Sequence, residues 1–202
     1  MTPDLLPLQT NWVMYSSGGK GHSWEMKRIV EVASVSDFMT FVNHTKAVSS
    51  FAGSVELAMF RSGVTPDWAV DPCKSGGRWT VRVERVSDIQ LDSIWLEVLL
   101  VLIGGTFTSD SSLNLEESVV GIAYSSRPGS VGRKLSLWTS VRDEESVMLI
   151  GEKFRDVLQA ILPGKDLGEI SFQDFLADNK YAYGIGKKKG IPSTKTNPSR
   201  RS

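Results

Sequence analysis

Residues 78–86 read RWTVRVERV, the clearest structural signal in the chain. Successive side chains of an extended segment point to opposite faces. Trp79, Val81, Val83 and Arg85 therefore share one side, and Arg78, Thr80, Arg82 and Glu84 the other, as expected for a strand. The same period recurs at 134–138, where Leu135 and Leu137 alternate with Lys134, Ser136 and Trp138. Working outward, further strands are expected at 8–15, 27–33, 55–61, 119–125 and 169–175. Turn chemistry separates them at Ser17-Gly18-Gly19, Lys74-Ser75-Gly76-Gly77 and Arg127-Pro128-Gly129-Ser130.

Three helices interrupt this pattern. The first follows Ser34, an N-cap type, and carries Val35, Phe38, Met39 and Val42 at helical spacing. The second covers 91–103 and stops at Gly104-Gly105. The third begins near Asp143, Glu144 and Glu145, acids that suit a helix N-terminus, and ends before Pro163. It places Val147, Ile150, Phe154, Val157, Leu158 and Ile161 on one side. Strands and helices do not alternate regularly, so the expected fold is α+β, an antiparallel-rich sheet with helices on one face. The second helix is apolar twice over. Ile94, Trp95, Val98, Leu99 and Leu102 form one stripe and Leu96, Leu100 and Ile103 another, so it needs burial on two sides or a partner on one.

The bulk numbers fit one globular domain: 202 residues, 41% hydrophobic and 23% charged. Basic and acidic residues balance at 23 each, so any anion site must be a local cluster. Cys73 is the only cysteine, which excludes an internal disulfide and favours a reducing compartment. No basic-then-apolar leader precedes residue 10, and the most apolar stretch, 94–103, is far too short to span a membrane. No secretory signal and no membrane partner are expected. Residues 184–202 are basic and rich in Gly, Pro and Ser, so a folded domain of 1–183 is expected to carry a mobile tail.

Catalytic constellations are missing from the sequence. His22 and His44 lie apart from Cys73 and from ligand-spaced carboxylates, so no metal site is expected. Gly18-Gly19-Lys20-Gly21 and Gly184-Ile185-Gly186-Lys187 look suited to phosphate but lack a strand–loop–helix context. No nucleophile, base and orienting group assemble, and no cofactor is implied. The chain is expected not to be an enzyme.

Several ordered stretches carry a resemblance. They are Pro7-Leu8-Gln9 before Trp12, then Trp24, Ser36-Asp37-Phe38 with Asn43-His44, and Phe60-Arg61-Ser62-Gly63-Val64-Thr65-Pro66-Asp67-Trp68. They continue through Gly76-Gly77-Arg78-Trp79, the run from Trp95 to Gly104, and Leu135-Ser136-Leu137-Trp138-Thr139. Together they resemble the translation initiation factor 4E family, in that family's order, over about 6–160. The resemblance implies a single domain in which a curved antiparallel sheet has a concave slot and about three helices on its convex back. It implies binding of the 7-methylguanosine 5′ cap of messenger RNA, in the cytoplasm with the nucleus as a second compartment, by a monomer.

By family position Trp24 and Trp68 sandwich the base, whose delocalised positive charge favours indole faces. Arg127 and Lys134 grip phosphate oxygens, with Arg78 behind them, Arg133 beside the same turn, and Trp138 near the N7 methyl group. On the back, the positions matching a scaffold site are Pro7, Leu8, Val35, Met39, Leu96, Glu97, Leu100 and Gly104. There the family takes a Tyr-x-x-x-x-Leu-apolar helix from an initiation scaffold (4G-like) or a repressor.

Three departures qualify the match. Ala69 stands where the family has a glutamate that accepts the guanine N1–H and N2–H. Either another acid replaces it, Asp71 before Asp67 or Glu25, or cap binding is weak. Met39 replaces a tryptophan on the back, and the turn from Arg127 to Lys134 is longer than usual. Two alternatives stay open: an interaction or repressor protein with little cap affinity, and a generic single-stranded RNA binder with steep salt dependence.

Overall fold

The computed structural model describes residues 6–18, 25–51, 53–107, 115, 117–127, 132–176 and 182–185. In chain order these hold β1 (Pro7–Gly18), β2 (Lys27–Ser34), α1 (Val35–His44), β3 (Val55–Arg61), β4 (Gly77–Arg82) and α2 (Asp88–Ile103). Then come β5 (Val119–Arg127), β6 (Gly132–Thr139), α3 (Glu144–Ile161), β7 (Gly168–Asp174) and β8 (Ala182–Ile185). The strands form one curved sheet in the order β2-β1-β3-β5-β6-β4-β7-β8, antiparallel throughout. The expected α+β class is the one found.

Strand alternation divides the molecule into two apolar layers. Met14, Leu57, Met59, Trp79, Val81, Ile122, Tyr124, Leu135 and Leu137 point to the helix side and build the main core with α2 and α3. α3 contributes Val147, Ile150, Gly151, Phe154 and Leu158, spaced for one helical face. Gly151 lets the helix backbone close on the Trp79 ring, because an added Cβ would collide with that ring. The Trp79 indole donates to the Val147 carbonyl at 3.0 Å, so the most buried tryptophan among the described residues spends its polar atom on the same helix. On the opposite face a smaller cluster gathers Ala58, Phe60, Cys73, Val120, Ala123 and Trp138, with Phe175 and Val64 against it.

Helix ends follow side-chain caps. Ser34 Oγ accepts the Asp37 N–H at 3.1 Å, as expected for α1. Asp143 does the same for the Ser146 N–H at 2.9 Å at the start of α3. α2 begins at Asp88, earlier than the expected 91, because Ser87 and Gln90 form a capping box that satisfies two orphan donors. That cap also shortens the preceding strand. β4 stops at Arg82, and Val83 and Val86 are both buried, three residues apart, so the two-residue period breaks and Arg85, expected on the core face, is exposed. The sheet runs on to Ile185, with Gly184 opposite Glu169, two residues beyond the boundary expected at 183. The remaining tail, 186–202, lies outside the described residues.

Candidate functional site

Strand register arranges the helix-free face as three rows running across the sheet. The first is Phe60, Gly121, Trp138, Arg78 and Gln173, each opposite the next on the neighbouring strand. Two residues along lies Ala58, Ala123, Ser136, Thr80 and Ser171. Two further along lies Glu56, Ser125, Lys134 and Arg82, with Arg127 next on β5. Chemistry therefore changes from aromatic to hydroxylic to charged over four residues, about 13 Å of strand. A pocket of about 210 Å³ spans the rows, lined by Glu56, Arg78, Arg127, Lys134, Trp138 and the hydroxyls between.

The aromatic end is tightly built. Trp138 packs edge-on to Phe60 at 5.4 Å and tilts against Phe175 at 5.0 Å. The Arg78 guanidinium lies over Trp138 at 5.6 Å and over Phe175 at 5.8 Å, while Nη2 donates to Gln173 Oε1 at 3.1 Å. Burial, against the raising attraction of Glu56 and joined by repulsion from Arg127, pulls the Arg78 pKa below its ordinary value. Among the described residues the buried Trp138 Nε1 has no acceptor, an orphan donor beside the pocket.

The loop after β3 covers this end. Val64 and Cys73 pack into the small cluster, and the Phe175 N–H donates to the Gly76 carbonyl at 3.1 Å. Burial pushes the Cys73 thiol up to about 11, so it serves as packing rather than as a nucleophile. Trp68 rises from the same loop 62% exposed, a large indole face left to solvent. Asp67 Oδ1 accepts the Ala69 N–H at 2.8 Å, and Asp71 Oδ1 accepts from Ser75 Oγ at 2.6 Å. Each loop acid thus gives one carboxylate oxygen to a local bond, and Asp71 is exposed.

At the charged end Lys134 feels burial first and then repulsion from Arg82, Arg78 and Arg127, which lower its pKa. Cations crowded this way leave a surplus positive field for an anion.

The structure brings together Arg78, Arg127, Lys134 and Trp138, four of the residues expected from sequence. Arg133 is corrected. It sits one residue from Lys134 and so faces the helix side, where Nη1 meets Asp88 at 2.9 Å and Nη2 the Val86 carbonyl at 3.2 Å. It clamps the start of α2 and does not line the pocket. Trp24 lies outside the described residues, as does the turn at 128–131. Sequence reasoning missed Glu56, Gln173, Phe175 and the hydroxyl row. Glu56 was legible as the one acid inside VELAMFR, a strand whose other interior residues are apolar.

The back carries a separate exposed apolar set. The Val35 N–H donates to the Leu6 carbonyl at 2.9 Å, which ties the start of β1 to α1. Val35 is 41% exposed, Met39 49% and Leu100 41%, while Leu96 is half-buried and Pro7, Glu97 and Gly104 are exposed. Asp92 of α2 accepts from the Ser49 N–H and Oγ at 2.9 and 2.7 Å, fixing α2 to the turn after α1.

Residues 7–182 match the family described as eukaryotic initiation factor 4E. Over 157 residues the chain is 33% identical to eukaryotic translation initiation factor 4E1 of Drosophila melanogaster, covering 76% of this chain and 58% of that protein. It is 31% identical over 156 residues to isoform 4E of Arabidopsis thaliana, covering 75% and 76%. The chain thus spans less than two thirds of the fly relative's length. Among solved structures it is similar to Ascaris suum eIF4E-3 in complex with the m7G cap, with TM-score 0.72 and 28% identity over 97% of this chain and 99% of that one. It is likewise similar to C. elegans eIF4E-3 in complex with the 4E-binding protein Mextli, with TM-score 0.72 and 25% identity over 84% and 93%.

Proposed function

Because this chain belongs to the eukaryotic initiation factor 4E family, we propose that it binds the 7-methylguanosine 5′ cap of messenger RNA across the three rows of its helix-free face. The observation that carries the reading is the ordered change from Trp138 and Arg78 to Arg127 and Lys134 within one pocket. A methylated guanine is a flat cation and its triphosphate is a strong anion, so a cap needs an aromatic end and a cationic end at fixed separation. Trp68 supplies an exposed stacking face, with Trp24 as its expected counterpart. Arg127 and Lys134 take the phosphate oxygens, Arg78 adds positive charge at the aromatic end over Trp138, and the hydroxyl row supplies neutral donors along the way.

The exposed set on α1 and α2 is read as the seat of a helical peptide from an initiation scaffold or repressor. The Mextli complex of the worm relative supports it. The protein acts as a binding factor in the cytoplasm rather than as an enzyme.

Quenching of intrinsic fluorescence by 7-methylguanosine nucleotide tests the cap reading. Unmethylated nucleotide should quench far less, and Trp68→Ala should lose about 1–3 kcal/mol of binding, the usual worth of a base–aromatic stack. Equal binding of the two nucleotides would sink it. A second reading, a family member with low cap affinity, is favoured by one observation: Ala69 offers no carboxylate, and Asp67 and Asp71 are held by Ala69 and Ser75. Ala69→Glu tightening the cap strongly, with Asp71→Asn neutral, would support that second reading.

A further inference from the structure

The charged row contains an acid where an anion site has no use for one. Glu56 projects from β3 into the pocket with its side chain 23% exposed, and its Oε2 lies 3.7 Å from Arg127 Nη2. Across Ser125 on β5 stands Lys134 on β6, and Arg78 on β4 also acts on the carboxylate. From β1 the residue opposite is Ser17, which carries no charge. The pocket thus holds three cations and one carboxylate, with that carboxylate placed against a cation expected to grip phosphate.

We propose that Glu56 is the charge selector of this pocket: it holds Arg127 in the empty site and penalises any anion that brings no stacking base to offset the repulsion. The inference rests on the reading of the pocket as a phosphate site. Surface cations alone would take nucleoside triphosphates and RNA backbone indiscriminately. A fixed carboxylate a few ångströms away lowers the affinity for every polyphosphate alike, so only a ligand with the additional stack at Trp68 stays bound. Seating phosphate takes Arg127 away from Glu56 and sets a second negative charge beside it. Burial already raises the Glu56 carboxyl above its ordinary value, against the lowering pull of Arg127 and Arg78. The approaching anion raises it further, so binding takes up protons and strengthens as pH falls.

The test compares wild type, Glu56→Gln and Glu56→Asp between pH 5 and 8. The probes are a 7-methylguanosine–triphosphate–guanosine dinucleotide, the 7-methylguanosine nucleoside and inorganic tripolyphosphate. Titration of the probe itself is common to all three proteins and cancels in the comparison. Glu56→Gln should bind dinucleotide and tripolyphosphate at least roughly tenfold tighter at pH 7.5, the scale of one like charge removed from about 12 Å at an effective dielectric of about 20. It should leave nucleoside affinity unchanged and lose the part of the pH dependence and proton uptake that exceeds the probe's own titration, which calorimetry in two buffers detects. Glu56→Asp should keep both. An unchanged pH profile in the Gln variant, or weaker dinucleotide binding in it, overturns the inference. If wild type binds neither dinucleotide nor nucleoside, the cap reading falls, and tripolyphosphate still decides Glu56: tighter binding by the Gln variant upholds the selector and equal binding rejects it.

Discussion

Arg133 and Lys134 are neighbours in sequence with opposite duties, since β6 turns one to the helix side and the other to the pocket. Lys134→Ala and Arg127→Ala are therefore expected to weaken a cap dinucleotide by about 1.5–3 kcal/mol, the range for hydrogen bonds to charged groups, while sparing the nucleoside. Arg133→Ala should leave both affinities alone and instead lower the melting temperature slightly, because its Asp88 partner is largely exposed and such pairs are worth little. Parallel titrations of the three variants check this. A drop in dinucleotide affinity for Arg133→Ala equal to that for Lys134→Ala would mean that the pocket draws on the turn instead.

At the scale of elements, α3 and α2 make different demands. Gly151 is where α3 meets the Trp79 ring, and the ring is locked by its bond to Val147 and by Phe172 at 5.3 Å. Gly151→Ala would gain helix propensity but overpack a ring that has no room to yield, so a net loss of about 1–3 kcal/mol in chemical denaturation is expected. Equal or greater stability would mean that α3 can lift off the sheet at little cost. α2 buries Leu91, Ile94, Trp95, Val98, Leu99 and Leu102, leaving Leu100 exposed and Leu96 half-buried. A Leu96→Ala, Leu100→Ala double variant should thus stay folded and keep cap retention while losing capture of a Tyr-x-x-x-x-Leu-apolar peptide. Collapse of its circular dichroism signal would assign the second stripe to the core.

For the molecule as a whole, two carboxyls set opposite slopes of stability against pH. Glu56 is raised by burial above its ordinary value of 4.5, so the folded state binds its proton more readily than the unfolded chain does. Its contribution is full below 4.5 and is lost as pH rises through the raised value. Asp37 is lowered from 3.8, first by the Ser34 hydroxyl and then by the Ala33 N–H, so its contribution holds above 3.8 and fades as pH falls further. The joint contribution of these two carboxyls is therefore greatest between 3.8 and 4.5 and falls on either side. Glu56→Gln should raise the melting temperature at pH 7.5 and bring no gain at pH 4.5, as scanning calorimetry at the two pH values can read.

Much of this was written in local sequence. The alternation of 78–82 and 134–138, the caps at Ser34 and Asp143, and the spacing of Val147, Ile150, Phe154 and Leu158 depend only on strand and helix geometry. They set the elements, the α+β class and the faces of Arg78, Lys134 and Trp138. The α2 start was also local, in Ser87 and Gln90, but it had to be read as a reciprocal pair. What the chain order could not state was lateral: which strand lies beside which, and so which side chains share a row. Glu56 and Lys134 are far apart in sequence yet stand on strands flanking β5, and only that register places an acid among the pocket's cations. Arg133 was misassigned although the same strand period that turns Lys134 to the pocket turns it to the helix side; only its partner, Asp88 of α2, needed the tertiary structure. Periodicity fixes what each residue faces within its own element; the charge of a pocket belongs to several elements at once, and tertiary packing alone decides it.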